Sequence, residues 1–551
     1  MTVMARARAA TAPPASRSGR RALAGTLALV RLRLRRDRVV APAWTLGVAG
    51  LVLYFTAALD LLFETEEDLL GLTAFMDGPL GALMGGPGYG FDDPSLPVFL
   101  AGTYWLYIMV LVGIMAILLT VRHTRREEAE GRTELVLGQP VGRLAPLASA
   151  IALVVGVLVV VALLTVGMLL AAGYPATGSW AIGAGTGALG LVMVGLTALT
   201  AQVAASSRAA GALAGVGLGV AFVVRSVGDL LEPQGSWLSW LSPLAWSQQM
   251  RPYVDERWWP LLLTVALAAL LTAAAAGLAA RRDLGAGALV GRPGPARAPG
   301  WLATPLALAL RVHRGTLLGW AGALTVLGVV YGSMTQELLD SFQELPAELV
   351  TIMGGQDDLL AGYLALMALF DAVIVSVFAL LALHTVRAEE ATGRAGAVLS
   401  ATVSRWAWLG SHLVVVAGGA LALLALCGVA LGGTAALVTG DAGLLIDGLW
   451  GHLALAPGVL VMVGVGAVLV GAVPRALLAA WVLLAHVLLT GVFGEVMDLP
   501  EWLDALSPFA PLAEVPLEGI AWPPVAALTA LALALGALGA AALRRRDLQA
   551  G

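Results

Sequence analysis

The chain has 551 residues, 59% of them hydrophobic and 12% charged, with a mean hydropathy of +0.87 and a formal net charge of −4. Soluble domains run nearer half apolar and a quarter charged, so this balance excludes an ordinary soluble protein and argues for a membrane protein. Cys427 is the single cysteine, which excludes an internal disulfide or a cysteine metal cluster.

The chain opens on a basic stretch, residues 1–40, with ten arginines. Leu23, Leu27, Val30 and Leu34 fall on one helical face with Arg31, Arg35 and Arg38 beside it, which predicts an interfacial helix on the inner leaflet. The first apolar run is too long for a signal peptide and lacks a persuasive cleavage site. Arg20-Arg21 and Arg35-Arg36 mimic a twin-arginine signal, but eleven further apolar runs follow the first one. The twelve runs begin near residues 41, 97, 146, 179, 209, 259, 317, 362, 410, 449, 476 and 523. Each is about the 20 residues that a spanning helix needs, so the expected fold is an all-α polytopic membrane protein.

All 32 basic residues are arginine. Residues 60–97 hold eight acidic residues and no arginine, and the loop from Thr335 to Asp358 repeats that bias. Because basic loops stay cytoplasmic, both termini are expected inside a plasma-membrane protein, with these acidic loops outside.

Two stretches carry charge between apolar runs: RREEAEGRTELVLGQPVGR (125–143) and RAEEATGRAGAVLSATVSR (387–405), identical at ten of nineteen positions. Other echoes keep the same order. SWLSWLSPLAW (236–246) returns as EWLDALSPFAP (501–511), RRDLGAG (281–287) as RRDLQAG (545–551), and Met84-Gly85-Gly86 as Met353-Gly354-Gly355. The echoes predict two parallel six-helix repeats, since an even number of spans keeps both copies in one orientation. The expected divisions are the basic segment 1–40, a first repeat over 41–283, a Gly/Pro/Ala-rich cytoplasmic linker over 284–304, and a second repeat over 305–551 that also begins with an interfacial segment.

A P-loop needs a lysine to reach nucleotide phosphates, and the chain has none. The histidines form no HExxH, and no GxSxG nucleophile elbow occurs. No catalytic site is expected. Read as helices, Glu128 with Arg132 and Glu390 with Arg394 stand in the favourable i,i+4 order, each broken by Gly131 or Gly393. A short charged helix presented twice predicts a surface that docks two copies of a partner.

Six-span units with an EE-x-x-GR helix between the second and third spans resemble ABC-2 type permeases. Two units in one chain, each with an LSP-containing stretch before its last span, look like the actinobacterial exporters of polyketide antibiotics, such as the tetronasin-type efflux permease. The resemblance implies that Glu127, Glu128, Arg132, Glu389, Glu390 and Arg394 form coupling helices seated on two copies of a separate ATPase subunit. Glu134 stands opposite Gly396, so the two docking sites need not be equivalent. It further implies that ATP and magnesium belong to that partner and that this chain binds no cofactor. The segments around 232–252 and 499–516 would be re-entrant outer helices, and the cargo a hydrophobic or amphipathic small molecule rather than a nucleic acid.

An ion-coupled secondary transporter with two six-span halves is the main alternative, and a polytopic scaffold without transport is the third. Coupling to ions would need carboxylates at depth, and the spans offer one clear candidate, Asp371 in FDAVIVSVF, with His452 and His486 the other titratable groups. An ionised Asp371 is too costly to face lipid, which assigns it to the translocation path or to a polar partner. Arg225 in FVVRSVGDL and Glu495 in VFGEVMDL occupy matching stretches of the fifth and eleventh spans. They are expected either to pair as an outer gate, given that the resemblance sets these spans face to face, or to snorkel separately to the interface.

Overall fold

A computed structural model describes residues 22–63, 78–232, 234–285, 297–344, 356–493 and 501–548, with 69, 70, 73, 76 and 287 besides. The chain forms two compact units, Met1–Gly294 and Pro295–Gly551. Among the described residues, twelve helices are long and apolar enough to cross a membrane. In unit 1 they are Val40–Asp60, Leu96–Ala129, Ala145–Ala171, Ala176–Val203, Ser207–Leu231 and Trp259–Ala279; in unit 2, Pro305–Asp340, Leu359–Ala391, Arg405–Thr439, Gly443–Ala472, Pro474–Gly491 and Trp522–Arg545. These are called spans one to twelve. Eleven of the twelve start within about six residues of an apolar run, whereas span seven starts at Pro305, well before the run near residue 317; a backbone away from water must satisfy its hydrogen bonds within the helix.

In unit 1, spans two and four are the most enclosed, and in unit 2, spans eight and ten. The core of unit 1 gathers around Phe99, Trp105, Ile108 and Met109 of span two, and that of unit 2 around Phe378, Leu424 and Met462. Lipid tails are as apolar as leucine, so helix contact rests on close packing, and small residues supply it. Spans nine and ten meet at Gly428 and Gly448, where a Cβ on Gly428 would fall 2.5 Å from the Gly448 carbonyl oxygen. Span two carries a π-helical turn, Leu100–Tyr104, directly before Trp105.

The two units begin differently. In unit 1 a separate helix, Thr26–Arg36, ends at Asp37 before span one. Leu27 and Leu34 of this helix and Leu23 just before it are exposed, whereas Arg33 is buried. In unit 2 the expected interfacial segment is not a separate element: it runs unbroken into span seven as one helix, Pro305–Ser333. The sequence shows why. PLALALRVHRGTLLGW keeps its apolar residues coming through Arg311 and Arg314, while the cluster Arg31–Arg38 in unit 1 is too dense to enter an apolar layer.

Candidate functional site

The two charged segments share one construction. Span two ends in a short helix, Arg125–Ala129; the chain turns at Gly131 and a second short helix, Arg132–Leu137, follows. In unit 2 the helix reaches Ala391 directly, turns at Gly393 and continues as Arg394–Leu399. Gly131 (φ 73°) and Gly393 (φ 76°) both occupy the left-handed region, where a side chain is strained. The break explains a difference from the expected pairing: Glu128 does not meet Arg132, nor Glu390 Arg394, because i,i+4 geometry does not survive the turn.

The second glutamate of each segment points inward. Glu128 accepts from Arg282 at 2.9 Å and from the Gly285 amide at 2.7 Å, and Arg125 lies 2.9 Å from its other oxygen. Glu390 accepts from both terminal nitrogens of Arg546, one of them at 2.7 Å. Arg282 and Arg546 stand just past the ends of spans six and twelve, so each segment is strapped to the base of its unit's last span. A second arginine reinforces the strap. Arg143 donates to the Arg282 carbonyl at 2.6 Å, and Arg405 donates to the Leu543 carbonyl at 3.0 Å and the Arg546 carbonyl at 2.6 Å. Bidentate arginine–carboxylate geometry fixes orientation as well as distance.

The first glutamates behave differently. Glu127 is buried and held by Arg33 at 3.4 Å and by Arg36, which ties the segment to the amino-terminal helix. Burial pushes the Arg33 guanidinium below its ordinary pKa and the Glu127 charge opposes the shift. Glu389 instead pairs within its own segment, with Arg394 at 2.8 Å, and this hydrogen bond raises the Arg394 pKa. Arg132 pairs with Glu130 at 2.6 Å. The exposed residues past each turn include Arg132, Glu134 and Leu135 in unit 1, and Arg394, Gly396 and Ala397 in unit 2.

Arg282 and Arg546 were not singled out by the sequence reasoning. The signal that marks them is the RRDL echo, which places an arginine at the same point after the last span of each unit.

Asp371 is fully buried in span eight, 3.0 Å from His452 Nε2 in span ten. His452 Nδ1 lies 2.7 Å from the Gly448 carbonyl, so it must donate there. In a neutral imidazole Nε2 is then an acceptor, and the contact with Asp371 needs one more proton, on the carboxyl or on the ring. The pair is net neutral either way, which is how a carboxylate is accommodated at depth. Asp371 thus faces a neighbouring span. Unit 1 joins its own enclosed spans with a bond of equal sequence separation, 81 residues, from Trp105 Nε1 to Thr186 Oγ1 at 2.8 Å.

Arg225 is fully buried and lies 3.2 Å from Asp229, one turn on; Asp229 also accepts from Ser239 at 2.6 Å. The guanidinium donates to the Ala82 and Leu83 carbonyls as well. It does not snorkel, and its charge is met inside unit 1. Glu495 lies outside the described residues. Residues 239–241 and 243–248 form short helices before the last span of unit 1; in unit 2 the matching stretch holds a four-residue helix, Glu501–Asp504. Among the described residues no group of three or more histidine, cysteine, aspartate or glutamate side chains could hold a metal.

A family model described as the C-terminal domain of the multidrug efflux system permease Rv1217c matches residues 23–282 and 302–544. The chain is also 35% identical, over 530 residues, to the multidrug efflux system permease protein Rv1217c of Mycobacterium tuberculosis (strain ATCC 25618 / H37Rv), with 95% of each chain covered.

Proposed function

The chain belongs to the multidrug efflux system permease family represented by Rv1217c, and from that premise we propose that it is the membrane subunit of an ATP-driven exporter of hydrophobic or amphipathic small molecules. Energy comes in trans, from two copies of a separate ATPase that carries the ATP and magnesium. The absence of any lysine supports this, because this chain cannot build a P-loop. Both termini and both charged segments face the cytoplasm in this reading, and polyketide-type antibiotics remain the substrate class it favours.

The observation that carries the proposal is the strap made twice, Glu128 to Arg282 and Glu390 to Arg546. A surface loop kept only for solubility needs no buried ion pair to a distant span. A lever that must transmit force does. The inward glutamates give the lever its rigidity, and Arg132 and Arg394 stand on the side left for the partner.

The test is reconstitution. The purified chain should hydrolyse no ATP, the complex with its ATPase should, and proteoliposomes should export a lipophilic dye only when ATP is supplied. Export driven by a proton gradient without ATP would favour the secondary transporter.

A further inference from the structure

A cavity of about 330 Å³ lies in unit 1 under the segment that joins spans two and three. His123, Pro146, Gln202 and Ala279 line it, and each stands at or near an end of its span, two through four and six. The cavity therefore sits at the depth where helices leave the apolar layer, the level of phospholipid headgroups.

Its chemistry suits an anion. Arg125, Arg143 and Arg282 line it against Glu128 and Asp283, and Glu128 is already matched by two of those arginines. Pro146 and Leu147 bring the amino terminus of the 27-residue span-three helix to the wall, and that helix has no side-chain cap. Its first turn adds partial positive charge. His123 is 1% exposed; its Nε2 is taken by Asp37, and its Nδ1 has no hydrogen-bond partner. Burial opposes a charge on this ring, and Asp37 on one side with an anion in the cavity on the other would supply the two opposite charges that offset it, each bonded to one ring nitrogen. Leu137 and Leu147 supply an apolar wall beside the polar groups.

We propose that this cavity binds the phosphate of an anionic phospholipid from the adjoining leaflet, with Arg143 and the Nδ1 of His123 as its ligands and the apolar wall taking the glycerol and the first methylenes. The lipid would lie against the charged segment, so its occupancy would stiffen that segment. This reading is independent of whether transport is driven by ATP.

Native mass spectrometry of the full chain, titrated with phosphatidylglycerol and with phosphatidylcholine, tests it. The expected result is preferential retention of phosphatidylglycerol, weakened about tenfold in Arg143→Gln/His123→Gln, with Arg143→Lys close to wild type. Melting temperature in phosphatidylcholine nanodiscs checks that the variants fold; should the double variant be unstable, Arg143→Gln alone carries the test, with a several-fold loss. Equal retention of both lipids, or unchanged phosphatidylglycerol binding in the variants, overturns the site. Displacement of phosphatidylglycerol by inorganic phosphate at equal concentration overturns the lipid and leaves a free-phosphate site.

Discussion

The two charged segments use the same strap but not the same number of anchors. In unit 1, Glu128 reaches Arg282 and Glu127 reaches Arg33 and Arg36, so the segment is tied to the last span and to the amino-terminal helix. In unit 2, Glu390 reaches Arg546, while Glu389 closes on Arg394 within the segment. What the halves share is the link to the last span; what differs is the second anchor. In the proposed reading the shared part is the lever, and the extra anchor grades its stiffness.

Removing the strap should separate the two segments most clearly. Glu390→Ala leaves Arg546 without its buried carboxylate, a change that typically costs about 3–5 kcal/mol locally. Hydrogen exchange over 387–399 should rise strongly, since the strap is the interaction that ties a carboxylate of this segment to another span. Glu128→Ala should loosen 125–137 less, because Glu127 still holds Arg33 and Arg36. The double change Glu390→Arg/Arg546→Glu should recover part of the protection. Equal loosening in both units would break the comparison.

The glycine turns should behave alike. Gly131→Ala and Gly393→Ala place a Cβ in open space but in the left-handed region, so each should cost about 1–2 kcal/mol of segment stability by backbone strain alone. Unequal effects would mean that the turns are not equivalent.

How much of this was legible in the sequence follows from what each feature needs. The twelve spans read directly from apolar length, since a helix in lipid is a local solution. The turns at Gly131 and Gly393 read from residue type. The straps did not, because Glu128 and Arg282 stand 154 residues apart and no periodicity links them. The i,i+4 rule pointed instead to Arg132, and it failed because a glycine lies inside the interval. Asp371 was visible as a costly carboxylate, but its partner was not: His452 is 81 residues on, and only the meeting of spans eight and ten makes the pair.

That pair sharpens a second contrast. Asp371→Asn can still donate to His452 and should cost little, whereas Asp371→Ala should destabilise unit 2 by about 1–2 kcal/mol, the scale of an interhelical hydrogen bond in a membrane. Trp105→Phe should cost unit 1 a similar amount. Thermal unfolding in a fixed detergent checks both. A wholly altered substrate profile in Asp371→Asn with unchanged stability would return Asp371 to the translocation path. The smallest stability effects belong to the exposed surface. Glu134→Gly and Gly396→Glu should each change stability by no more than about 1 kcal/mol, the scale of a glycine within a helix. If the proposed ATPase partner docks here, they should shift its affinity in opposite directions at the two segments, measured by co-purification.

The central claim is that the straps transmit work between a partner ATPase and the spans, and uncoupling measures it directly. The assembled complex carrying Glu128→Ala and Glu390→Ala should be reconstituted, and ATP hydrolysis and dye export recorded in the same proteoliposomes. The account predicts hydrolysis that persists while export per ATP falls by at least tenfold. Export per ATP equal to wild type would contradict it.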